Sequence, residues 1–133
     1  KSRTRPRRMI TMVILYDPEG RVLLERRPAN GIWGGLWSFP ECGSDSDIEK
    51  WCKSALGVNP TSRRALPIVE HGFTHFILEI HPALLTVSAR DSDKLRSENR
   101  AWIRTEAVGK KGLPIPVKNI LNQIVRKKND SDR

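Results

Sequence analysis

The first third of the chain has apolar runs typical of paired β-strands. Residues 9–17 (MITMVILYD) are short, apolar and rich in Val and Ile, which predicts a buried strand. The segment Pro18-Glu19-Gly20 supplies turn residues, and residues 21–26 (RVLLER) predict a second strand. The two strands are therefore expected to form a hairpin.

The middle of the chain predicts more strands separated by breakers. Residues 66–88 are expected to hold two or three strands interrupted at Gly72 and Pro82, because both residues weaken a strand interior. Residues 89–98 are mostly polar and predict a loop. Residues 100–104 (RAWIR) predict one more short strand.

Two stretches have the spacing of amphipathic helices. Residues 47–56 are predicted to be helical, with Ser46 and Glu49 as a capping box and Gly57 as the stop. Pro116 is expected to open a last helix, since proline suits the first turn. The apolar positions that recur every three or four residues are Ile48, Trp51, Cys52, Ala55 and Leu56, and then Val117, Ile120, Leu121, Ile124 and Val125. The order β-β-β-α-β-β-β-α, without an internal repeat, predicts an α+β (mixed α/β) domain with its sheet between two helices.

Composition limits the class of protein. A chain of 133 residues with 38% hydrophobic and 29% charged residues is one globular domain by length and content. No apolar run approaches the roughly 18 residues that cross a bilayer, so no membrane partner is expected. Cys42 and Cys52 are too few for a disulfide framework and lack the spacing of a zinc or iron–sulfur site. Each is predicted to be a buried, reduced thiol.

The net charge of +9 is concentrated at the two ends. Residues 1–8 carry five basic side chains and no acid, residues 126–133 have a net charge of +2, and residues 9–125 have only +2. A basic arm often contacts phosphates, but it can equally be a solubilising terminus, so charge alone leaves DNA binding open. The candidate phosphate contacts are Arg3, Arg5, Arg7 and Arg8.

A glycine- and tryptophan-rich segment, residues 27–41, contains the main motif. Gly35 to Glu41 has the spacing Gly-x5-Glu and resembles the opening of a Nudix box, whose helix normally supplies several glutamates that hold Mg²⁺ against a pyrophosphate. At the paired-glutamate positions this chain has Ser54 and Ala55, or Lys53 and Ser54 in the other register. The resemblance therefore implies a Nudix-like α/β/α sandwich, with a mixed sheet and two main helices, that lacks the catalytic carboxylates.

Three segments resemble one family more closely, the C-terminal domain of MutY-type adenine DNA glycosylases. They are Arg27-Pro28-x-x-Gly31-x-Trp33-Gly34-Gly35-Leu36-Trp37-x-Phe39-Pro40, His71-Gly72-Phe73-Thr74-His75, and Gly112-Leu113-Pro114-Ile115-Pro116-Val117. They occur in the family's order and extend over most of the chain. One departure is Thr74, where the family commonly has Ser; the hydroxyl is kept and a methyl group is added.

The resemblance implies that Phe73, Thr74 and His75 read 8-oxoguanine opposite adenine. Oxidation at C8 makes N7 carry a hydrogen and adds a carbonyl oxygen, and a hydroxyl such as that of Thr74 can accept from the first or donate to the second. Phe73 is a candidate to wedge against or stack on the neighbouring base step, and His75 to contact a phosphate or steady the loop. Taken without the resemblance, Phe73 would be a core strand residue, Thr74 a common β-former and His75 an ordinary polar residue.

Other conspicuous residues have plainer interpretations. His71, His75 and His81 are not expected to bind a metal, because Gly72 and Pro82 interrupt their spacing. Trp33 and Trp37 are predicted to be packing anchors rather than stacking platforms. Arg26 and Arg27 are equally compatible with a phosphate contact and with a solvated strand end.

The resemblance also defines the expected architecture and partners. Residues 1–8 would be a basic interdomain linker, 9–126 the Nudix-like lesion-recognition domain and 127–133 a flexible basic tail. No cofactor is expected in these residues, and a [4Fe–4S] cluster would lie in a catalytic domain of the same chain. The expected partner is double-stranded DNA with an 8-oxoguanine·adenine mispair. The chain is expected to be monomeric, and cytoplasmic and DNA-associated in a bacterium, or nuclear or mitochondrial in a eukaryote.

The alternative is a free-standing Nudix hydrolase that acts on oxidised nucleoside triphosphates with Mg²⁺. The missing glutamates oppose it. A plain protein-docking module is a third class, which no feature of the sequence favours.

Overall fold

The computed structural model describes residues 5–110 and 112–131, and within these residues the chain forms one eight-stranded mixed sheet. The strands are β1 (Arg7–Tyr16), β2 (Arg21–Arg26), β3 (Trp37–Ser38), β4 (Glu41–Gly43), β5 (Ser62–Ala65), β6 (Val69–Gly72), β7 (Ile77–Thr86) and β8 (Arg100–Arg104). The helices are α1 (Ile48–Trp51), which continues as a π-helical turn over Cys52–Leu56, α2 (Ala89–Asp93), a 3₁₀ helix over Thr105–Lys110, and α3 (Ile115–Ser131).

The two longest strands, β1 and β7, lie side by side at the centre of the sheet. They pair in parallel along their whole length, from Arg7 opposite Ile77 to Tyr16 opposite Thr86. The other pairings are antiparallel: β1 with β2 and β4, β2 with β3 and β8, and β7 with β5 and β6. The predicted β1–β2 hairpin is confirmed, and Asp17 caps its turn by donating its backbone N–H to the Arg21 carbonyl at 3.0 Å.

Alternation along β1 divides the core into two layers. Met12 and Ile14 face a cluster that includes Val117, Ile120, Leu121 and Ile124 of α3. Val13 and Leu15 face the opposite cluster, which includes Ile48, Cys52 and Leu56 of α1 and its π turn. Because side chains point alternately to the two faces of a strand, both faces of β1 are buried and each needs a helix to cover it. The predicted sheet between two helices is therefore confirmed.

Several predicted element boundaries differ from the structure. The first strand begins at Arg7 and not at Met9, so the last two residues of the predicted linker over residues 1–8 belong to the sheet. The last helix continues to Ser131 and so extends over residues 127–131 of the predicted tail at 127–133. The N-cap of α1 is Asp47 and not Ser46, because the Asp47 side chain accepts the hydrogen bond from the Lys50 N–H at 3.2 Å.

The middle of the chain also differs from prediction. Pro82 does not interrupt β7, because it faces the gap between β5 and β6. Its carbonyl accepts from the Leu66 N–H at 3.0 Å. Proline lacks an N–H, but at this position no strand residue would accept a hydrogen bond from it. The expected polar loop at 89–98 begins with α2, and the side chain of Ser88 caps it by accepting from the Asp91 N–H at 3.1 Å.

Candidate functional site

The segment from Arg27 to Trp37 folds back on itself beside β2 and needs unusual backbone angles. Gly31 and Gly35 have φ angles of 99° and 77°, which a residue without Cβ adopts at low cost. Trp33 has a φ of 54°, which is rare for a bulky side chain and persists only where the surroundings hold it. A Cβ on Gly34 would lie 2.2 Å from the carbonyl oxygen of Ala29, so only glycine fits there.

Arg27 holds this segment together. Its backbone N–H donates to the Leu36 carbonyl at 2.8 Å and its Nε donates to the Ile32 carbonyl at 3.0 Å. The same guanidinium pairs with Glu41, the last residue of the Nudix-like Gly-x5-Glu motif, and only about a fifth of each side chain is exposed. Arg27 is therefore an internal partner of a carboxylate and not a solvated strand end.

The pairing of Arg27 with Glu41 bears on metal binding. Burial raises the pKa of Glu41, and the positive charge of Arg27 opposes that rise. In the helix of the box, Lys53 and Ser54 are exposed and Glu49 faces Arg63, with 3.3 Å between Oε2 and Nη1. The residues present therefore do not fit the magnesium site of a Nudix box, because its paired glutamates are absent and the nearby Glu41 and Glu49 face arginines.

Other candidate metal ligands have partners of their own. In residues 5–110 and 112–131, no group of three or more His, Cys, Asp or Glu side chains is placed to hold a metal ion. His81 Nε2 lies 2.7 Å from Glu79 Oε2, and His71 packs against aromatic rings. Cys42 and Cys52 are buried free thiols, as predicted, and burial raises the pKa of Cys52 to about 11.

The three residues predicted to read the lesion form the turn between β6 and β7. The backbone N–H of Phe73 donates to the Phe76 carbonyl at 2.8 Å, which closes a tight turn with Thr74 and His75 at its tip. Both tip residues are exposed, whereas Phe73 is half-buried against the core. The turn therefore presents the Thr74 hydroxyl and the His75 imidazole to solvent, while the packing of Phe73 fixes its position.

Four aromatic rings support this turn. Phe73 stacks on Phe76 with ring centroids 4.6 Å apart and an interplanar angle of 19°. His71 meets Phe73 edge-on at 4.8 Å, and Trp33 lies 5.5 Å from Phe73 and 5.6 Å from His71. These distances are those of favourable aromatic pairs. The strained Trp33 thus joins the Arg27–Trp37 segment to the turn, and we call Trp33, His71, Phe73 and Phe76 the aromatic cluster.

The predicted phosphate-contacting arginines separate into two groups. Arg5 Nη1 donates to the Phe73 carbonyl at 2.7 Å, and the Arg8 guanidinium lies 4.2 Å from the centre of the Phe76 ring. Arg7 points to the other face of β1, where it pairs with Glu70 and Glu79. Arg3 lies outside the described residues. The structure therefore brings Arg5 and Arg8 to the turn, and gives Arg7 two carboxylate partners elsewhere.

Sequence reasoning missed part of this site. The sequence motif indicates Phe73, Thr74 and His75 but not Phe76, and Trp33 is predicted only as a packing anchor. Phe76 closes the turn itself, whereas Trp33 contacts the turn from a position about 40 residues away in sequence. A first strand that began at Arg7 would have placed Arg7 and Arg8 on opposite faces of the sheet, since side chains alternate along a strand. Residues 1–8 lack the apolar pattern that predicts a strand.

The fold and the incomplete box define a class of protein, Nudix-fold domains without the magnesium carboxylates. The NUDIX domain family model matches residues 11–123, and the chain belongs to this family. Its resemblance to adenine DNA glycosylases is confirmed by the protein named adenine DNA glycosylase from Buchnera aphidicola subsp. Acyrthosiphon pisum (strain APS). The two are 27% identical over 112 residues, which is 84% of this chain and 32% of the relative. The chain thus spans about a third of the length of that relative.

Two solved structures share the fold. The C-terminal domain of mouse MUTYH, in complex with human PCNA, superposes with a TM-score of 0.65 and 18% identity, covering 91% of this chain and 89% of that one. Shewanella oneidensis NrtR, in complex with a 27mer DNA, superposes with a TM-score of 0.75 and 15% identity, covering 92% and 62%. Within the described residues, no helix has the length and apolar character needed to cross a membrane.

Proposed function

We propose that this chain is the lesion-recognition domain of an adenine DNA glycosylase and reads 8-oxoguanine opposite adenine in duplex DNA. The observation that carries the proposal is the β6–β7 turn, with Thr74 and His75 exposed at its tip, an aromatic cluster beneath it and two arginines beside it. The glycosylase relative supports the same assignment. The catalytic half, its [4Fe–4S] cluster and adenine removal would belong to other parts of the same protein.

The chemistry of the turn suits this role. Thr74 Oγ1 can accept from the N7 hydrogen of 8-oxoguanine or donate to its new carbonyl, and an intact guanine offers neither at those positions. His75 is exposed beside Thr74, and in this proposal it contacts a neighbouring phosphate or steadies the loop. Phe73 is stacked on Phe76 in the free chain, so a wedge role would require its ring to leave that stack.

We expect Thr74→Ala to reduce the preference for 8-oxoguanine·adenine over guanine·adenine duplexes by about 1–3 kcal/mol, because in this proposal the hydroxyl bonds to the N7 hydrogen or the C8 carbonyl, which only the oxidised base has. The preference is measured as the ratio of dissociation constants in fluorescence-anisotropy titrations of the 133-residue chain, with both duplexes at one salt concentration. A ratio is needed because phosphate contacts change both affinities together.

Thr74→Ser is the matched control, since it keeps the hydroxyl and removes only the methyl group. We expect it to retain most of the preference. If Thr74→Ala and wild type discriminate equally, or if the wild type shows no preference, the assignment of Thr74 as the reader is wrong.

The hydrolase alternative is tested separately by incubating the chain with Mg²⁺ and nucleoside triphosphates, including 8-oxo-dGTP. We expect no pyrophosphate release, because the carboxylates near the box are already paired with arginines. Release at a rate that depends on Glu41 would overturn the proposal in favour of a hydrolase.

A further inference from the structure

The chain that enters β1 runs directly alongside the β6–β7 turn. The backbone N–H of Ile77, the first residue of β7, donates to the Pro6 carbonyl at 2.9 Å, and Arg7 pairs with Ile77 in the parallel ladder. The segment Arg5–Arg8 is therefore fixed to the strand that leaves the turn. The side chains of Arg5 and Arg8 reach the turn without any rearrangement of the sheet.

Arg5 contacts the backbone of the turn itself. Its Nη1 donates to the Phe73 carbonyl at 2.7 Å, the carbonyl of the peptide that joins Phe73 to Thr74. Hydrogen bonds from a charged donor are stronger than those between neutral groups. A Cβ on Gly72 would lie 3.2 Å from Arg5 Nη1, so the glycine before Phe73 leaves room for the guanidinium.

Arg8 holds the other end of the turn. Its guanidinium lies over the Phe76 ring at 4.2 Å, which is a cation–π distance, and Phe76 in turn stacks on Phe73. Arg5 and Arg8 thus contact the residues on either side of Thr74 and His75. Arg7, which lies between them in sequence, faces Glu70 and Glu79 on the opposite side of the sheet.

We propose that Arg5 is a positioning residue, which fixes the Phe73–Thr74 peptide and thereby the direction of the Thr74 hydroxyl. This inference rests on the proposed function for its consequence in DNA recognition, but the contact itself can be tested without DNA. The chain leading into β1 then sets the geometry of the reading turn, so that a displacement of this segment is transmitted to Thr74 through one hydrogen bond. A phosphate contact at Arg5 would compete with this bond.

The contact is tested by ¹⁹F NMR of the 133-residue chain labelled with 4-fluorophenylalanine, which gives three signals because the sequence has three phenylalanines. We expect Arg5→Ala to shift the Phe73 and Phe76 signals and leave that of Phe39, which is fully buried in the core, unchanged. Amide exchange of Phe73 should become about threefold to tenfold faster, because the turn opens more often. Arg7→Ala removes the same charge two residues further along the chain, at the start of β1, and is expected to leave the Phe73 signal in place.

The consequence for recognition is measured as the ratio of affinities for 8-oxoguanine·adenine and guanine·adenine duplexes. We expect Arg5→Ala to reduce this ratio about threefold or more, and Arg7→Ala to leave it unchanged. A residue that only contacts phosphate lowers both affinities by the same factor, which leaves the ratio intact.

The outcomes separate the two proposals. Unchanged ¹⁹F signals and amide exchange in Arg5→Ala would overturn the positioning role, whatever the DNA result. Altered signals with an unchanged ratio, in a wild-type chain that does discriminate, would overturn it as well. A wild-type chain that does not discriminate, with altered signals in Arg5→Ala, would leave the contact established and overturn the proposed function instead.

Discussion

Replacing Arg27 with Ala is expected to lower the free energy of unfolding by about 3 kcal/mol at pH 7, because it leaves Glu41 largely buried without its cation. The substitution also removes the Nε hydrogen bond to the Ile32 carbonyl. Chemical denaturation followed by tryptophan fluorescence measures the effect. Arg26→Ala is the matched control, since Arg26 is the adjacent and exposed arginine, and its substitution should cost less than about 0.5 kcal/mol.

The loss of stability caused by Arg27→Ala should depend on pH in a defined direction. Burial already raises the pKa of Glu41 above its ordinary 4.5, and loss of the opposing Arg27 charge raises the pKa further. The folded state then binds the proton more tightly than the unfolded chain, so stability falls as pH rises from 4.5 through the folded-state pKa.

The deficit is therefore expected to be smallest below pH 4.5 and full at neutral pH. Adding Glu41→Gln to Arg27→Ala should recover part of the loss at pH 7. If the loss of stability is constant with pH and Glu41→Gln does not reduce it, Arg27 stabilises the fold only through its hydrogen bond to the Ile32 carbonyl and not through Glu41.

The core strands and the last helix could be predicted because their patterns are local. β1 and β2 are apolar runs separated by a turn sequence, and α3 has apolar residues at helical spacing after a proline. β5 could not be found in the same way. Its four residues, Ser62–Ala65, are all exposed, and the strand exists because the edge of β7 supplies its hydrogen-bond partners.

The breakers and caps were harder to interpret. Pro82 interrupts a strand only where its missing N–H would face a partner, and that depends on where β5 and β6 end. The short α2 did carry a local signal in Ser88 and Asp91, which are spaced as a cap and a first-turn acid. The polar composition of residues 89–98 obscured it.

In the candidate site too, local features could be predicted from the sequence, whereas contacts between distant residues could not. A motif of five adjacent residues indicates Thr74 and His75, and the two residues lie together at the tip of one turn. The partners of that turn come from residues about 40 and 70 positions away, Trp33 and Arg5, and no periodicity connects them with it. The pairing of Glu41 with Arg27 also depends on how the intervening loop closes, which side-chain spacing does not encode.

The second large effect is expected at Asp17, whose side chain is completely buried at the end of β1. Its carboxylate accepts from the Arg21 N–H at 2.9 Å, Arg21 Nε at 2.8 Å, the Glu19 N–H at 3.1 Å and Ser92 Oγ at 3.1 Å. One carboxylate thus joins the β1–β2 turn to α2. Asp17→Ala should lower the free energy of unfolding by about 3–5 kcal/mol at pH 7, because it leaves several buried donors without an acceptor and leaves Arg21 with only the mostly exposed carboxylate of Glu19 as a partner.

The effect of Asp17→Ala is compared with that of Glu19→Ala and is followed as a function of pH. Glu19→Ala removes a mostly exposed carboxylate from the same Arg21 and should cost less than about 1 kcal/mol. Burial acts to raise the pKa of Asp17, but the hydrogen bonds from Arg21 and Ser92 outweigh it and hold the pKa below the ordinary 3.8. The contribution of the carboxylate is therefore full above pH 3.8 and is lost as pH falls through the folded-state pKa, so the difference in stability between wild type and Asp17→Ala should narrow only below pH 3.8. A gap that narrows already between pH 7 and 5 would mean that the carboxylate is not held as a charged acceptor in the folded chain.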